Sequence, residues 1–321
     1  MLRISRIAGA FRRRFGQAGT LALAVVFVSG IQPSQAQSGI FSDGFALGHT
    51  CRWSSTQPAA DCSGAGLTLV LPGGGFLDLV RIPAGTFLMG SPETERGRTG
   101  AEDLHPVTLT HDYFIGWTEV TQSQWQAVVG DPMPTDCGDY GSGPAHPVYC
   151  VSWNDVASPG GFLDLLNAHL VATGQPAGLR LPTDAEWERA ARAETQTRFS
   201  HGDALDCDDA CGACAEHSEA MWWCGDQPTY TCQETASRLP NGFSLNDLHG
   251  NVWELVNDWY QESLGTDAVT DPTGPESGEA KIFRGGGWPS EAANCRSAVR
   301  LAIVPGMRVN SIGFRVAKTA P

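Results

Sequence analysis

Apolar positions along this chain come in short bursts divided by glycine, proline and asparagine, rather than in long amphipathic runs. Residues 79–82 (Leu-Val-Arg-Ile) predict a short strand broken by Pro83, and residues 86–89 (Thr-Phe-Leu-Met) another ended by Gly90. The β-branched and aromatic content of residues 107–110 and 113–117 predicts two more strands. Thr121 with Gln124 forms a capping-box pattern, so a helix should begin there, with Trp125, Val128 and Val129 as its apolar positions and Gly130 as its stop. Ser152 with Asp155 marks a second helix start, which Pro159-Gly160-Gly161 interrupts before a helix from Phe162 to about Val171. Thr183-Asp184-Ala185-Glu186 is the strongest capping box and opens a helix through Trp187, Ala190 and Ala191. Beyond Arg192 the periodicity fades for some fifty residues, and residues 313–317 predict a closing strand. Short helices, short strands and long loops together describe an α+β domain of low regular content.

The ends of the pattern set the expected domain boundaries. Residues 1–36 read as an export signal: Arg3, Arg6, Arg12, Arg13 and Arg14 precede an apolar run at 21–31 that is too short to span a bilayer, and Ser34-Gln35-Ala36 offers small residues for cleavage. Arg12-Arg13-Arg14-Phe15 also fits a twin-arginine core, so the ordinary secretory route and export in the folded state both stay open. Residues 37–75, rich in Gly, Ser, Thr and Ala, read as a linker with a small Cys51–Cys62 loop, and residues 76–321 as one domain.

Charge and cysteine content narrow the partners. The whole chain carries −14; removal of residues 1–36 would take away five of its 21 Lys and Arg and none of its 35 acids, leaving about −19. So acidic a chain is a poor match for nucleic acid or an anionic membrane, and after the signal no apolar run is long enough for a transmembrane helix. The expected place is the periplasm or the cell exterior, where ten cysteines imply disulfides. Cys137 and Cys150 flank a short loop and are expected to pair. Cys207, Cys211, Cys214, Cys224 and Cys232 form an odd cluster whose outside partner would be Cys295, which makes Cys295 a structural staple. The spacing Cys207-x3-Cys211-x2-Cys214 leaves zinc as the alternative.

Candidate chemistry lies in two stretches. Asp247 and Glu254 stand seven residues apart around Gly250, as in a loop that wraps a hard cation, although the same carboxylates could satisfy backbone N–H groups in a metal-free loop. Farther on, Arg284-Gly285-Gly286-Gly287-Trp288 is a glycine turn followed by Ser290 and Cys295.

Seven blocks in order, IPAGTFLMGS (82–91), YFIGWTEVTQSQW (113–125), HPVYCVSWNDV (146–156), LRLPTDAEWERAAR (179–192), DLHGNVWELVNDW (247–259), RGGGW (284–288) and GFRVA (313–317), resemble the formylglycine-generating enzyme (sulfatase-modifying factor) family. The resemblance implies an elaborated C-type-lectin-like fold and a calcium site made by the side chains of Asp247 and Glu254 with the carbonyls of Gly250 and Val252. It also implies a peptide groove to which Trp253, Trp288 and Arg284 would contribute, the alternative for the two tryptophans being core filling. Active members read RGGSW, with cysteines two and seven residues after the Trp that hold Cu(I) and oxidise a sulfatase cysteine to formylglycine with O₂. Here those places are Ser290 and Cys295, so Cys295 is the candidate catalytic residue with Ser290 in place of its partner cysteine, and Gly287 replaces the family's Ser. One thiolate and a hard hydroxyl are a poor Cu(I) site, so copper is not expected. The favoured expectation is an exported binding or accessory domain that keeps a peptide-sized groove and the calcium site. The alternatives are a periplasmic maturation enzyme of the family with other oxidative chemistry, as in pyoverdine chromophore formation, and a formylglycine-generating oxidase with an unusual ligand set.

Overall fold

The computed structural model describes residues 66–226 and 230–321. The expected export signal and the Cys51–Cys62 loop lie outside those residues. The strands are β1 (Gly66–Val70), β2 (Phe76–Ile82), β3 (Gly85–Met89), β4 (His105–Leu109), β5 (Tyr113–Gly116), β6 (Trp253–Trp259), β7 (Val269–Thr270), β8 (Lys281–Arg284), β9 (Arg300–Ile303), β10 (Ile312–Gly313) and β11 (Ala317–Thr319). The helices are α1 (Gln122–Val129), α2 (Trp153–Ala157), α3 (Phe162–Ala172), α4 (Asp184–Arg192) and α5 (Ala215–Ala220).

All three capping boxes form. Thr121, Ser152 and Thr183 each accept from the backbone N–H three residues on, while Gln124, Asp155 and Glu186 reach back to the cap. These reciprocal bonds satisfy orphan donors and fix where α1, α2 and α4 begin. Gly130 ends α1 in a left-handed conformation, as its lack of a Cβ allows.

The described residues build three sheets, ordered β1-β2-β5-β11, β10-β6-β8-β9 and β3-β4-β7. In the first, every pairing is antiparallel. In the second, β6 runs antiparallel to β8, with a register shift between Leu255 and Trp259, and parallel to β10. The expected linker over 37–75 does not hold for its last ten residues, because β1 pairs along its length with β2 and buries Leu69 and Leu71. The expected closing strand is also split: the backbone of residues 314–316 leaves the ladder between β10 and β11, yet Phe314 and Val316 stay fully buried.

The core is unusual in its charge. Every residue of α4 is buried, including Asp184, Glu186, Glu188, Arg189 and Arg192. Arg284 at the end of β8 bonds Asp184 at 2.5 Å and Glu188 at 2.7 Å, and Arg300 on β9 takes the other Asp184 oxygen at 2.7 Å. Arg296 is held by both oxygens of Glu102 at 2.8 and 2.9 Å. Such pairs are fragile to loss of one partner, since that strands a buried charge. The Arg284 and Arg300 pairs tie α4 to the second sheet, and Arg296 ties the segment after β8 to Glu102 ahead of β4.

Candidate functional site

The glycine turn after β8 and the 247–254 loop are laced together by their backbones. Gly250 N donates to Gly285 O at 2.8 Å, and Trp288 N donates to Asn251 O at 2.7 Å. Positive φ at Gly285, Gly286, Asp247, Gly250 and Asn251 coils both segments tightly enough to meet. At Gly286 the requirement is steric as well, because a side chain there would overlap the Cys295 sulfur.

Ser290 and Cys295 lie on this turn with different employments. The Ser290 hydroxyl accepts from Gly287 N at 3.0 Å and closes the turn, while its carbonyl accepts from Cys224 N at 3.1 Å. Cys295 ends a short 3₁₀ turn (Ala292–Cys295) and is fully buried among Phe199, Met221, Trp223 and Ala292. Desolvation pushes its thiol up to about 12, so at neutral pH the sulfur is a protonated thiol rather than a thiolate. His249 holds the same segment: its Nδ1–H donates to Cys295 O at 2.8 Å and its Nε2 accepts from Ser200 N at 3.0 Å. Burial lowers this imidazole to about 4, which keeps it neutral and suited to both bonds.

The expected staple through Cys295 is corrected. Cys137 pairs with Cys150 as expected, but the cluster closes on itself as Cys207–Cys214 and Cys211–Cys224. Among the described residues Cys232 and Cys295 are free and buried. Cys232 packs with Tyr149, Cys150, Val252 and Trp288, whereas Cys295 sits in the separate group around Phe199. Sequence parity could not foresee this, because two thiols held in different packing groups have no route to each other.

The three residues proposed to shape a groove are enclosed. Arg284 has no exposed surface and spends its guanidinium on Asp184, Glu188 and the carbonyls of Ser297 and Val299. Trp253 meets Phe283 edge-on at 4.9 Å and Trp288 stacks on Tyr140 at 5.3 Å, both nearly buried. Among the described residues an open recess lies elsewhere, as a cleft of about 380 Å³ between α1, α2 and the start of α3. Trp125, Val129, Pro132, Pro134 and Phe162 give it an apolar lining, and the Asp155–Arg308 pair supplies charge. The Trp125 Nε1 is itself buried without a partner, so what Trp125 gives the cleft is apolar ring surface.

The acidic loop holds a charge imbalance. Glu254 is consumed by a bidentate pair with Arg315, both contacts at 2.6 Å, and by Trp187 Nε1 at 2.7 Å. Asp247 uses one oxygen to accept from Ala236 N at 2.7 Å, and its Oδ1 is buried without a partner. Glu119, between β5 and α1, is completely buried, and apart from the hydrogen bond it makes with Asp247 when protonated, its oxygens meet no other donor or acceptor. Desolvation first, and then the Asp247 and Glu254 charges, push Glu119 far above the usual carboxylate range, and burial raises Asp247 to about 6. Glu119 was not foreseen as a site residue. The signal available was a carboxylate between Trp117-Thr118 and Val120, inside an otherwise apolar stretch that strand β5 and helix α1 were bound to bury.

Comparison with known proteins meets this geometry. Residues 75–320 match the sulfatase-modifying factor enzyme 1-like domain model. The chain belongs to the sulfatase-modifying factor family. The formylglycine-generating enzyme of Streptomyces coelicolor is 31% identical over 221 residues, covering 64% of this chain and 61% of that protein. The Treponema denticola variable protein 1 structure is similar with a TM-score of 0.64 and 26% identity, over 79% of this chain and 99% of that one. PvdO from Pseudomonas aeruginosa gives a TM-score of 0.63 and 28% identity, over 80% and 99%. The expected α+β, C-type-lectin-like fold is therefore the fold of this chain. Among the described residues no helix is long and apolar enough to cross a membrane.

Proposed function

We propose that this sulfatase-modifying factor protein is an exported binding or accessory domain that carries calcium and takes a peptide or a segment of an exported protein. The observation that carries the reading is Ser290. Its hydroxyl stands at the place of the family's first cysteine and is already used to close the Gly287 turn. The residues present do not fit Cu(I): one hard oxygen with a bond to keep, and one enclosed thiol pushed to about 12, do not make a pair of soft thiolates. Formylglycine formation, named for the Streptomyces relative, is thus not proposed for this chain.

Calcium does fit. Glu119 and Asp247 bring buried carboxyl oxygens together with no outside donor for Glu119, and a hard cation beside them would take the place of the proton they share in a group where Arg315 faces three carboxyls. Asp247 and the carbonyls of Gly250 and Val252 remain the loop's proposed donors, with Glu119 added. Glu254 would act largely by holding Arg315 and Trp187 in place. The cleft at Trp125 is the surface offered to a ligand: its apolar walls suit side chains, and the Asp155–Arg308 pair at its edge suits polar backbone groups.

The alternative, an oxidoreductase of the same family with other chemistry, draws on the free thiols Cys295 and Cys232 near the turn. The test is to incubate the full chain with Cu(I), O₂ and a sulfatase-type cysteine peptide, following O₂ uptake and aldehyde by mass. No aldehyde is expected; conversion of the peptide overturns the non-oxidase reading. Peptides selected on the full chain should lose binding in Val129→Asp, and selected peptides that bind the variant equally well remove the cleft assignment.

A further inference from the structure

A second group of metal-ligating side chains lies away from the calcium loop and from Ser290. One ligand atom from each of Cys207, Cys214 and His217 falls within 4.8 Å of the other two. Cys214 caps α5 and His217 stands three residues along it, so both project from one helical turn. In the oxidised chain Cys207 and Cys214 form a disulfide.

The histidine carries an independent signal. His217 is fully buried, its Nδ1 faces His201 Nε2 at 3.2 Å, and its Nε2 has no partner; nor has His201 Nδ1. Each neutral imidazole bears one proton, so the contact uses one N–H and one lone pair. One bare lone pair and one N–H must then be stranded at the two outer nitrogens. When His217 Nδ1–H donates to His201, the bare lone pair is at His217 Nε2. In that tautomer a buried imidazole, one ring nitrogen of which lies within 4.8 Å of both sulfurs, carries a lone pair with no partner, which is an unfinished ligand set.

The surrounding chain holds these groups in place without the disulfide. Arg96 donates to Cys207 O at 2.8 Å, Ser218 N donates to Cys214 O at 3.0 Å, and Arg198 fixes Asp209 at 2.7 Å. The Cys211–Cys224 bridge pins the loop between the two sulfurs to the 3₁₀ turn at Cys224–Asp226. Opening the Cys207–Cys214 bond therefore frees few residues. Cys207 is the less buried residue of the pair, so it is the one assigned to meet an external reductant.

We infer that Cys207, Cys214 and His217 form a zinc site in the reduced chain, which the Cys207–Cys214 disulfide closes in the oxidised one. A dithiol reductant attacks Cys207, Cys214 leaves as thiolate, and the reductant's second thiol displaces Cys207 while the reductant becomes a disulfide. Zinc then takes the two thiolates and the neutral imidazole, and the two thiol protons pass to solvent. Two thiolates neutralise a divalent ion, and three protein ligands leave a fourth position for water.

The full-length chain is reduced under argon with limiting dithiol until peptide mapping shows Cys207 and Cys214 free and Cys211–Cys224 intact, freed of reductant, and titrated with cobalt(II) as a spectroscopic probe and then with zinc. One equivalent of cobalt should give thiolate-to-metal charge-transfer bands and the strong visible bands of a tetrahedral site, displaced by zinc and absent before reduction. Cys214→Ser and His217→Ala should each weaken binding about tenfold or more, while Cys232→Ser leaves the spectrum as it is. Zinc should also raise the melting temperature of the reduced chain. No charge-transfer bands in the reduced wild type, bands undiminished in His217→Ala, or a reduced melt that zinc does not move would each overturn the site.

Discussion

At the scale of single residues, Ser290 decides more than any other. A cysteine there would lose the short hydroxyl bond to Gly287 N and gain a soft ligand near Cys295. Ser290→Cys should therefore raise Cu(I) affinity by on the order of 100-fold or more, measured by competition with a chromophoric chelator. It should also lower stability by about 1 kcal/mol for the lost hydrogen bond. Copper affinity equal to wild type would show that the buried Cys295 thiol, and not residue 290, limits the site. That a serine and not a cysteine stands two residues after Trp288 is plain in the linear chain. That its hydroxyl is already employed, and that Cys295 is sealed away from the other thiols, depends on contacts with residues brought from far along the chain.

At the scale of elements, capping was fully legible because it is local: donor, acceptor and helix start lie within four residues. Asp155 adds a tertiary contact to its cap. Hydrogen bonds from Arg308 and from Ser152 hold its carboxyl at about 2, against a usual 3.8, despite desolvation that acts the other way. A depressed carboxylate stabilises the fold above its unfolded value and loses that contribution as pH falls toward its folded one. The urea midpoints of wild type and Arg308→Ala should thus differ by a constant amount above about pH 5 and converge as pH drops from about 4 toward 2. A gap that stays constant to pH 3 would show that the pair contributes through packing alone. The pair is partly exposed, so its contribution is screened and small. Strands β6, β8 and β9 were not legible. Six of the seven residues of β6 are buried or nearly so on both faces, including Glu254 and Asp258, which erases the alternation that marks a half-exposed strand.

At the scale of the whole molecule, buried charge is the organising feature. Arg315→Ala should cost about 3–5 kcal/mol in urea unfolding, because Glu254 is left buried beside Glu119 and Asp247, whereas Arg308→Ala at the surface should cost under about 1 kcal/mol. Equal losses would mean that solvent reaches Arg315. Calcium supplies the complementary test. The melting temperature should rise with calcium over chelator, by about 2.7 kcal/mol of stability at a hundred times Kd. Glu119→Gln should move the two conditions oppositely, raising the melt in chelator by removing an unanswered buried acid and abolishing the calcium increment. A calcium increment that survives Glu119→Gln would remove that residue from the site.

The sequence by itself determined the family, the α+β class, the starts of α1 to α4 and the Cys137–Cys150 bridge, since each is written in neighbouring residues or in ordered blocks. Only the tertiary structure decided which cysteines stay free, that Arg284 is a buried ion-pair partner, that Glu119 joins Asp247, and that an imidazole meets Cys207 and Cys214. Those outcomes depend on desolvation and on contacts between residues tens to hundreds of positions apart, and no local pattern encodes either.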